Sequence, residues 1–263
     1  MKTKPFYLIV SLVLIAIGCK KEIEYPEALT TAKANLETAF NALDDQMTTA
    51  AEYMASINMD TTLIRARLIE LYNENDNVAE FSWVTAEGIL KMIEPPVYYS
   101  DQGSDISQQD HIIKVADTKE PVLGLSFLAV EGFYSVAVLH PILESDTYLG
   151  SVATLLKTKD FLGDIMEPLL VGQEYELWVM EKGGYMIYNQ DDIEIGLNVF
   201  TDPYYKDFPD FITACEKIDD KESGTTHYTF YQTGTNNPVT KLTFWTTFER
   251  HGTEWKLVWV KPE

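Results

Sequence analysis

Cysteine and positive charge are both scarce in the 263-residue chain. Its only cysteines are Cys19 and Cys215, so at most one disulfide could form within it. Only 20 Lys plus Arg stand against 41 Asp plus Glu, which gives a formal net charge of −21. A surface this acidic repels nucleic acid and anionic lipid headgroups. Nucleic-acid binding is therefore excluded.

The chain also lacks a hydrophobic run long enough to cross a membrane. Lys2 and Lys4 precede an apolar stretch of roughly 12 residues that ends at Ile17, whereas a spanning helix needs ~20. A basic start, a short apolar segment and a small residue before Cys19 are typical of a secretory signal peptide. We predict that residues 1–18 are this signal peptide.

The four residues Ala16-Ile17-Gly18-Cys19 resemble a bacterial-type lipobox, although Leu is commoner where Ala16 stands. The resemblance implies that Cys19 is the lipidation site, where the thiol receives a diacylglyceryl group and becomes the mature N-terminus. Two acyl chains hold a protein stably at a membrane. We expect a lipid-anchored protein at the extracytoplasmic face of the cell membrane. The alternative is an ordinary signal peptide with an incidental cysteine.

Common catalytic signatures are missing. The sequence contains no H-E-x-x-H, G-x-x-x-x-G-K-[ST], G-x-S-x-G, S-x-x-K or C-x-x-C. Its four histidines, at positions 111, 140, 227 and 251, do not have the spacing of metal ligands. We therefore predict no catalytic residue, no metal site and no cofactor, and we do not expect an enzyme.

The chain is rich in apolar residues, which make up 46% of it and predict sizeable buried cores. From Leu29 to Ile57 they fall three or four apart with no Gly or Pro between them, which predicts one long amphipathic helix. Asp60 or Thr61 can cap a second helix, whose apolar stripe runs from Leu63 to Tyr72. Residues 19–75 are thus expected to form a lipidated N-terminus and a helical stalk.

An internal repeat organises the rest of the chain. Trp83-Val84 with Gly88 returns as Trp178-Val179 with Gly183. Each copy predicts a strand, a Gly-containing hairpin, a long acid-rich connection and further antiparallel strands. The sequence predicts an α+β fold, in which a long N-terminal helix is followed by two tandem PAS-like modules with antiparallel five-stranded sheets.

Several short segments stand in the order found in one family of sensors. They are Asn77-Val78 through Trp83-Val84 with Gly88, Asp105-Ile106-Ser107 with Asp110-His111, Pro121-Val122-Leu123, Val136 to Pro141, and Tyr148-Leu149-Gly150-Ser151-Val152. By these segments, residues 26–263 resemble the extracytoplasmic double Cache family. The resemblance implies a membrane-distal module in residues 76–168, which binds a small-molecule ligand, and a membrane-proximal module in residues 169–263. Because the chain ends at Glu263 after a predicted strand, we expect either that a membrane-spanning signalling partner detects a shift of the long helix or that the protein only captures solute near the surface.

The resemblance places the ligand pocket between the distal sheet and the long connection after its first hairpin. Such pockets need aromatic walls and a few convergent polar groups. The candidate ligand-binding residues are Trp83, Tyr98, Tyr99, Asp101, Asp105, His111, Phe127 and Tyr134. The alternative is that Trp83 and Phe127 are core residues and that Asp105 caps the turn before His111.

The sequence departs from the double Cache family at the residues that bind an amino-acid ligand, and this difference narrows the class of ligand. Members that sense amino acids use an Arg for the ligand carboxylate and an Asp on the last distal strand for its ammonium group. Residues 76–168 contain no Arg, and residues 150–156 contain no Asp. An amino-acid ligand is therefore not carried over. The missing guanidinium and the excess of acid favour a neutral or cationic ligand, and the alternative is that this charge only keeps the surface solvated.

Two alternatives to sensing stay open. The chain could be a structural or assembly lipoprotein that uses the Cache fold as a scaffold without a ligand, and a third function class is a surface enzyme. The long helix could pair with a second copy of the chain. We expect instead that it packs along both modules of its own chain.

Overall fold

The computed structural model describes residues 23–129 and 133–263. The predicted signal peptide and Cys19 lie outside these residues. Within them, two helices precede two antiparallel sheets that follow one another along the chain, which confirms the predicted α+β class. None of the helices in this part of the chain has the length and apolar character needed to span a membrane.

The two N-terminal helices are α1 (Glu27–Ser56) and α2 (Thr61–Glu74). The Asp60 carboxylate begins α2 by accepting hydrogen bonds from the backbone N–H groups of Thr62 and Leu63, at 2.9 and 3.1 Å. This N-cap satisfies donors that the first helical turn leaves without partners. The helical part of the prediction is therefore confirmed.

The first sheet has the strand order β2-β1-β6-β5-β3, and β4 also pairs with β5. It has six strands instead of the predicted five because β5 is 11 residues long, and two short strands share its outer edge. A 3₁₀ helix (Pro96–Asp101) and α3 (Asp110–Thr118) lie between β2 and β3. The strands are β1 (Glu80–Thr85), β2 (Leu90–Glu94), β3 (Val122–Leu123), β4 (Phe127–Leu128), β5 (Tyr134–Glu144) and β6 (Thr147–Lys157).

The second sheet has the strand order β8-β7-β11-β10-β9, with the predicted five strands. It is joined to the first by α4 (Thr158–Leu170), and α5 (Pro209–Asp220) precedes β9. The predicted module boundary after residue 168 falls within α4. The strands are β7 (Glu176–Glu181), β8 (Met186–Tyr188), β9 (Ser223–Tyr231), β10 (Pro238–Arg250) and β11 (Thr253–Pro262). We call the first sheet with α3 the first module, and the second sheet with α5 the second module.

The Trp-Val repeat marks the equivalent hairpins of the two sheets. Trp83 and Trp178 lie in β1 and β7, and each strand pairs with the next along the chain. Gly88 and Gly183 have positive φ angles of 79° and 100° in the connecting turns. At Gly88 a Cβ would lie 2.5 Å from the Cα of Ser107, so only glycine fits there.

The apolar stripe of α1 is buried against both sheets and forms their shared core. The ring of Phe40 lies 5.3 Å from Phe161 of α4, 5.2 Å from Phe248 of β10 and 5.5 Å from Trp255 of β11, measured between ring centres. The expectation that the long helix packs along both modules of its own chain is confirmed.

Phe40→Ala should lower the free energy of unfolding by about 3–5 kcal/mol, because it removes a fully buried ring and leaves a cavity between α1 and the second sheet. Urea titration followed by circular dichroism measures this change. The control is Tyr53→Ala in the same helix, where the side chain is 39% exposed and the expected change is within about 0.5 kcal/mol. Equal losses in the two variants would contradict the packing described for α1.

Candidate functional site

A cavity lies on the face of the first sheet that points away from α1. It is enclosed by the sheet, by α3 and by the segment that leads into α3. Successive side chains of a strand point to opposite faces of the sheet, so β1 contributes residues to both faces of the first sheet. Its residues Glu80, Ser82 and Val84 line the cavity, whereas Phe81 and Trp83 pack in the core that α1 covers.

The cavity has a volume of about 60 Å³ and a mainly apolar lining. A water-sized group needs ~10–15 Å³ of cavity volume, so the cavity has room for about four to six such groups. The aliphatic walls are Val84, Leu90, Ile106, Ile112, Leu139 and Leu155. The polar lining residues are Glu80, Ser82, Ser104, Gln109 and His111.

Among the described residues that line the cavity, only Glu80 and His111 are ionisable. Glu80 is 3% exposed. Burial lowers the pKa of His111 to about 4, although the charge of Asp110 acts in the opposite direction, so its imidazole is neutral at pH 7. Its ring stacks on Phe127 with 5.3 Å between the ring centres. A ligand carboxylate would therefore meet no cationic side chain from the described part of the lining.

Of the eight predicted ligand-binding residues, the structure brings His111 and Phe127 to the cavity wall. Tyr98 packs against the apolar cluster that surrounds the cavity without lining it. Trp83 lies on the opposite face of the sheet, where it belongs to the core with α1.

Three other predicted residues lie in the connection itself. The Tyr99 hydroxyl donates to the Glu94 carboxylate at 2.6 Å, and the Arg65 guanidinium of α2 lies 4.9 Å from the centre of its ring. Asp105 accepts a hydrogen bond from the backbone N–H of Ser107 at 3.0 Å, which is the capping geometry of the alternative interpretation. Asp101, at the end of the 3₁₀ helix, does not line the cavity.

Tyr134 lies at the junction of the two modules. Its ring is so close to Gly196 that a Cβ there would be 2.3 Å away. Sequence reasoning missed four polar lining residues, which are Glu80, Ser82, Ser104 and Gln109. The two in β1 had a visible signal, since they alternate with aromatic residues. Such alternation predicts that a strand separates two different environments.

A second polar cluster ties α1 to both modules. Asp44 of α1 is bonded to His140 of β5 at 2.9 Å and to His251, in the turn after β10, at 3.0 Å. Arg250 donates to the same carboxylate from Nε at 2.6 Å and also from its terminal nitrogen. Thr48 is bonded to the other ring nitrogen of His140 at 3.1 Å. We call Asp44, His140, Arg250 and His251 the junction cluster.

Electrostatics explain why a carboxylate can be buried in the junction cluster. Burial acts to raise the pKa of Asp44, but hydrogen bonds from His140, His251 and Arg250 and the charge of His251 outweigh it and hold the pKa well below its usual value. One ligand atom each of Asp44, His140 and His251 lies within 4.8 Å of the others, as in a site for a divalent metal. Because Arg250 already neutralises Asp44, the cluster fits an ion-pair network better than a metal centre.

The wall of the cavity is also bonded to the second module. Ser126, next to Phe127, donates from its backbone N–H and its hydroxyl to the Glu181 carboxylate of β7, at 2.9 and 3.0 Å. Thr253 of β11 donates to the backbone oxygen of Leu123 at 2.6 Å. These hydrogen bonds join the edge of the cavity to the second sheet.

Comparisons with known proteins agree with this architecture. Residues 38–158 match the family model described as HK/GC/Chemotaxis protein-like, sensor domain, and they include the whole first sheet. An extracellular ligand binding receptor from Desulfohalobium retbaense is similar with a TM-score of 0.75 and 28% sequence identity over 89% of this chain and 39% of that one. The chain thus spans about two fifths of that receptor.

Two chemoreceptor domains from pseudomonads are similar over most of their length. The ligand-binding domain of Pseudomonas fluorescens CtaA, in complex with L-alanine, has a TM-score of 0.65 and 12% identity over 90% of this chain and 95% of that one. The ligand-binding domain of Pseudomonas aeruginosa PctB, in complex with L-Arg, has a TM-score of 0.65 and 11% identity over 90% and 93% of the two chains. No curated protein sequence matches the chain.

The chain has the double Cache fold of extracellular sensor domains. The segment that matches the family model contains the cavity, His140 and Asp44.

Asp44→Asn should lower the free energy of unfolding by about 3 kcal/mol at pH 7, because it leaves the Arg250 charge without its partner. The lowered pKa of Asp44 sets the sign of the pH dependence. Its ion pairs stabilise the fold above the usual carboxyl pKa of about 4, and this stabilisation is lost as pH falls towards the lowered value. The difference between wild type and variant should therefore shrink below pH 4 in urea titrations.

The matched control is Asp45→Asn, which changes the exposed neighbour of Asp44 in the same helix. Its expected effect is within about 0.5 kcal/mol at every pH. If Asp44→Asn were as mild as the control, or equally severe at pH 7 and pH 2.5, the ion-pair account of the junction cluster would be wrong.

Proposed function

We propose that the first module binds a small neutral or cationic molecule at the extracytoplasmic face of a membrane, where the chain is held through a lipid on Cys19. The observation that carries this proposal is the cavity itself, which remains open between the first sheet and α3. The likeness to the ligand-binding domains of chemoreceptors supports a sensing role of a non-catalytic kind.

The lining of the cavity supports a particular class of ligand. A volume of about 60 Å³ suits a molecule of only a few non-hydrogen atoms. Glu80 can accept hydrogen bonds from an ammonium, amide or hydroxyl group, and Ser82 and Gln109 add two neutral polar partners. A ligand carboxylate is disfavoured, because burying an unpaired charge is costly and the described lining offers it no cation.

The contacts around the cavity supply a route for the signal. A ligand that displaces Phe127 or α3 would act on the Ser126–Glu181 and Lys114–His251 hydrogen bonds, which join the two modules. The junction cluster and the apolar stripe then connect both modules to α1. A shift of α1 would be detected by a membrane-spanning partner, since α1 lies next to the proposed lipid anchor along the chain.

Glu80→Gln should weaken the binding of a cationic ligand at least ten-fold, because it replaces the only carboxylate in the described lining by a neutral amide of the same size. The ligand would first be found by a thermal-shift screen of amines, quaternary ammonium compounds, amino acids, organic acids, purines and sugars. At 100 times its dissociation constant a ligand should add about 2.7 kcal/mol of stability. Calorimetry on wild type and variant then measures the loss.

Two further variants sharpen the test. Glu87→Gln changes an exposed acid in the turn between β1 and β2 and should leave binding unchanged. Ala153→Leu adds bulk to the wall of the cavity and should abolish binding of neutral and cationic ligands alike. A well-folded protein that binds nothing in the panel, or whose ligand binds Ala153→Leu normally, would favour the scaffold interpretation instead.

A further inference from the structure

The second module contains a larger cavity than the first. It lies between the second sheet and the segments that follow β8, and its volume is about 260 Å³. The turn between β9 and β10 and the 3₁₀ helix Asp192–Glu194 contribute to its rim. None of the residues used in the proposed function lines this cavity, so its role is a separate question.

Six aromatic side chains line one part of the cavity. Phe211 of α5 and Phe230 of β9 stack with 4.6 Å between their ring centres, and Tyr204 meets Phe230 at 6.2 Å. Trp178, Tyr228 and Tyr231 are the other three aromatic lining residues, and we call the six together the aromatic wall. Aromatic faces attract organic cations through their negative π surface.

Acidic side chains also line the cavity. Glu194 is 5% exposed and accepts hydrogen bonds from the Asn189 amide and the Tyr205 hydroxyl, both at 3.1 Å. The one cationic group among the described lining residues, Lys241, is 2% exposed and pairs with Glu176 at 2.6 Å. The Lys241–Glu176 pair has no net charge. Glu194 and Asp191 therefore give the cavity lining an excess of acidic groups.

We propose that this cavity is a second ligand site, which binds a small organic cation between its aromatic wall and Glu194. An anion would face the surplus acid, since Lys241 is already engaged by Glu176. A neutral apolar ligand would offer no charge to compensate Glu194 when its carboxyl is ionised. The aromatic wall and the excess of acidic side chains together favour an ammonium compound over an anion or a neutral apolar ligand.

The ionisation of Glu194 should make the binding of a cation depend on pH. Burial and the nearby charges of Asp191 and Glu176 raise the pKa of Glu194 to about 7, although the Tyr205 hydrogen bond and Lys241 act in the opposite direction. Burial also raises the pKa of Tyr204 to about 12, so its ring stays neutral. A bound cation would hold Glu194 ionised, so binding should release a proton near neutral pH.

Choline and its neutral isostere 3,3-dimethyl-1-butanol are a matched pair of probes for calorimetry on the purified full chain. Choline should bind at least ten-fold more tightly than the isostere at pH 8. Because one proton must leave Glu194, choline affinity should rise about ten-fold between pH 6 and pH 8. Equal affinity for the two probes, no binding of choline, or a pH-independent affinity would overturn the proposal.

Substitutions locate the site. Glu194→Gln and Tyr204→Ala should each weaken choline binding at least ten-fold, and Glu194→Gln should also remove its pH dependence. If Glu194→Gln does not fold, Asp191→Asn, nearer the surface, should still weaken binding several-fold. The matched control is Asp192→Asn, an exposed acid that pairs with Lys159 and should change nothing.

A variant of the first module separates this proposal from the proposed function. Glu80→Gln should leave choline binding intact if the second module holds the cation. Loss of binding in Glu80→Gln, with Glu194→Gln unaffected, would place the cation in the first module and refute the second site. Failure of the first-module screen has no bearing on the choline result.

Discussion

The burial of one face of α1 against both sheets is the contact on which the rest of the molecule depends. Because α1 covers one face of the first sheet, the other face is left to α3 and the connection before it, and a cavity opens between them. In the second module, α5 and the segments after β8 cover the face away from α1 in the same way. The single helix therefore sets both the shared core and the two places where ligands could bind.

The junction cluster adds polar specificity to this apolar contact. Apolar packing alone tolerates sliding of a helix along a sheet, whereas a buried carboxylate must keep its hydrogen-bond partners. Asp44 takes those partners from β5, from the end of β10 and from the turn that follows it, so the relative positions of α1 and the two modules are fixed. Together with the hydrogen bonds of Glu181 and Thr253 and the apolar stripe of α1, these contacts join the two modules to each other and to α1.

Much of the fold could be predicted because its signals are local. The three-and-four spacing of α1 and the Trp-Val repeat led to the long helix and the two antiparallel sheets, and the sixth strand of the first sheet was missed because β3 is only two residues long. The site was harder to predict. Successive tyrosines such as Tyr98 and Tyr99 suggested a pocket, but Tyr99 is bound to Glu94 and to an arginine from α2, outside the segment in which a guanidinium was sought.

The sequence by itself determined the secondary structure, the tandem arrangement and the acidic charge, because periodicity and composition act over a few residues. Only the tertiary structure decided which face of β1 meets α1, and so placed Glu80 at a cavity and Trp83 in the core. It also brought Asp44 together with His140 and Arg250, which are 96 and 206 residues away along the chain. Contacts over such separations depend on how whole elements pack, and no local pattern encodes them.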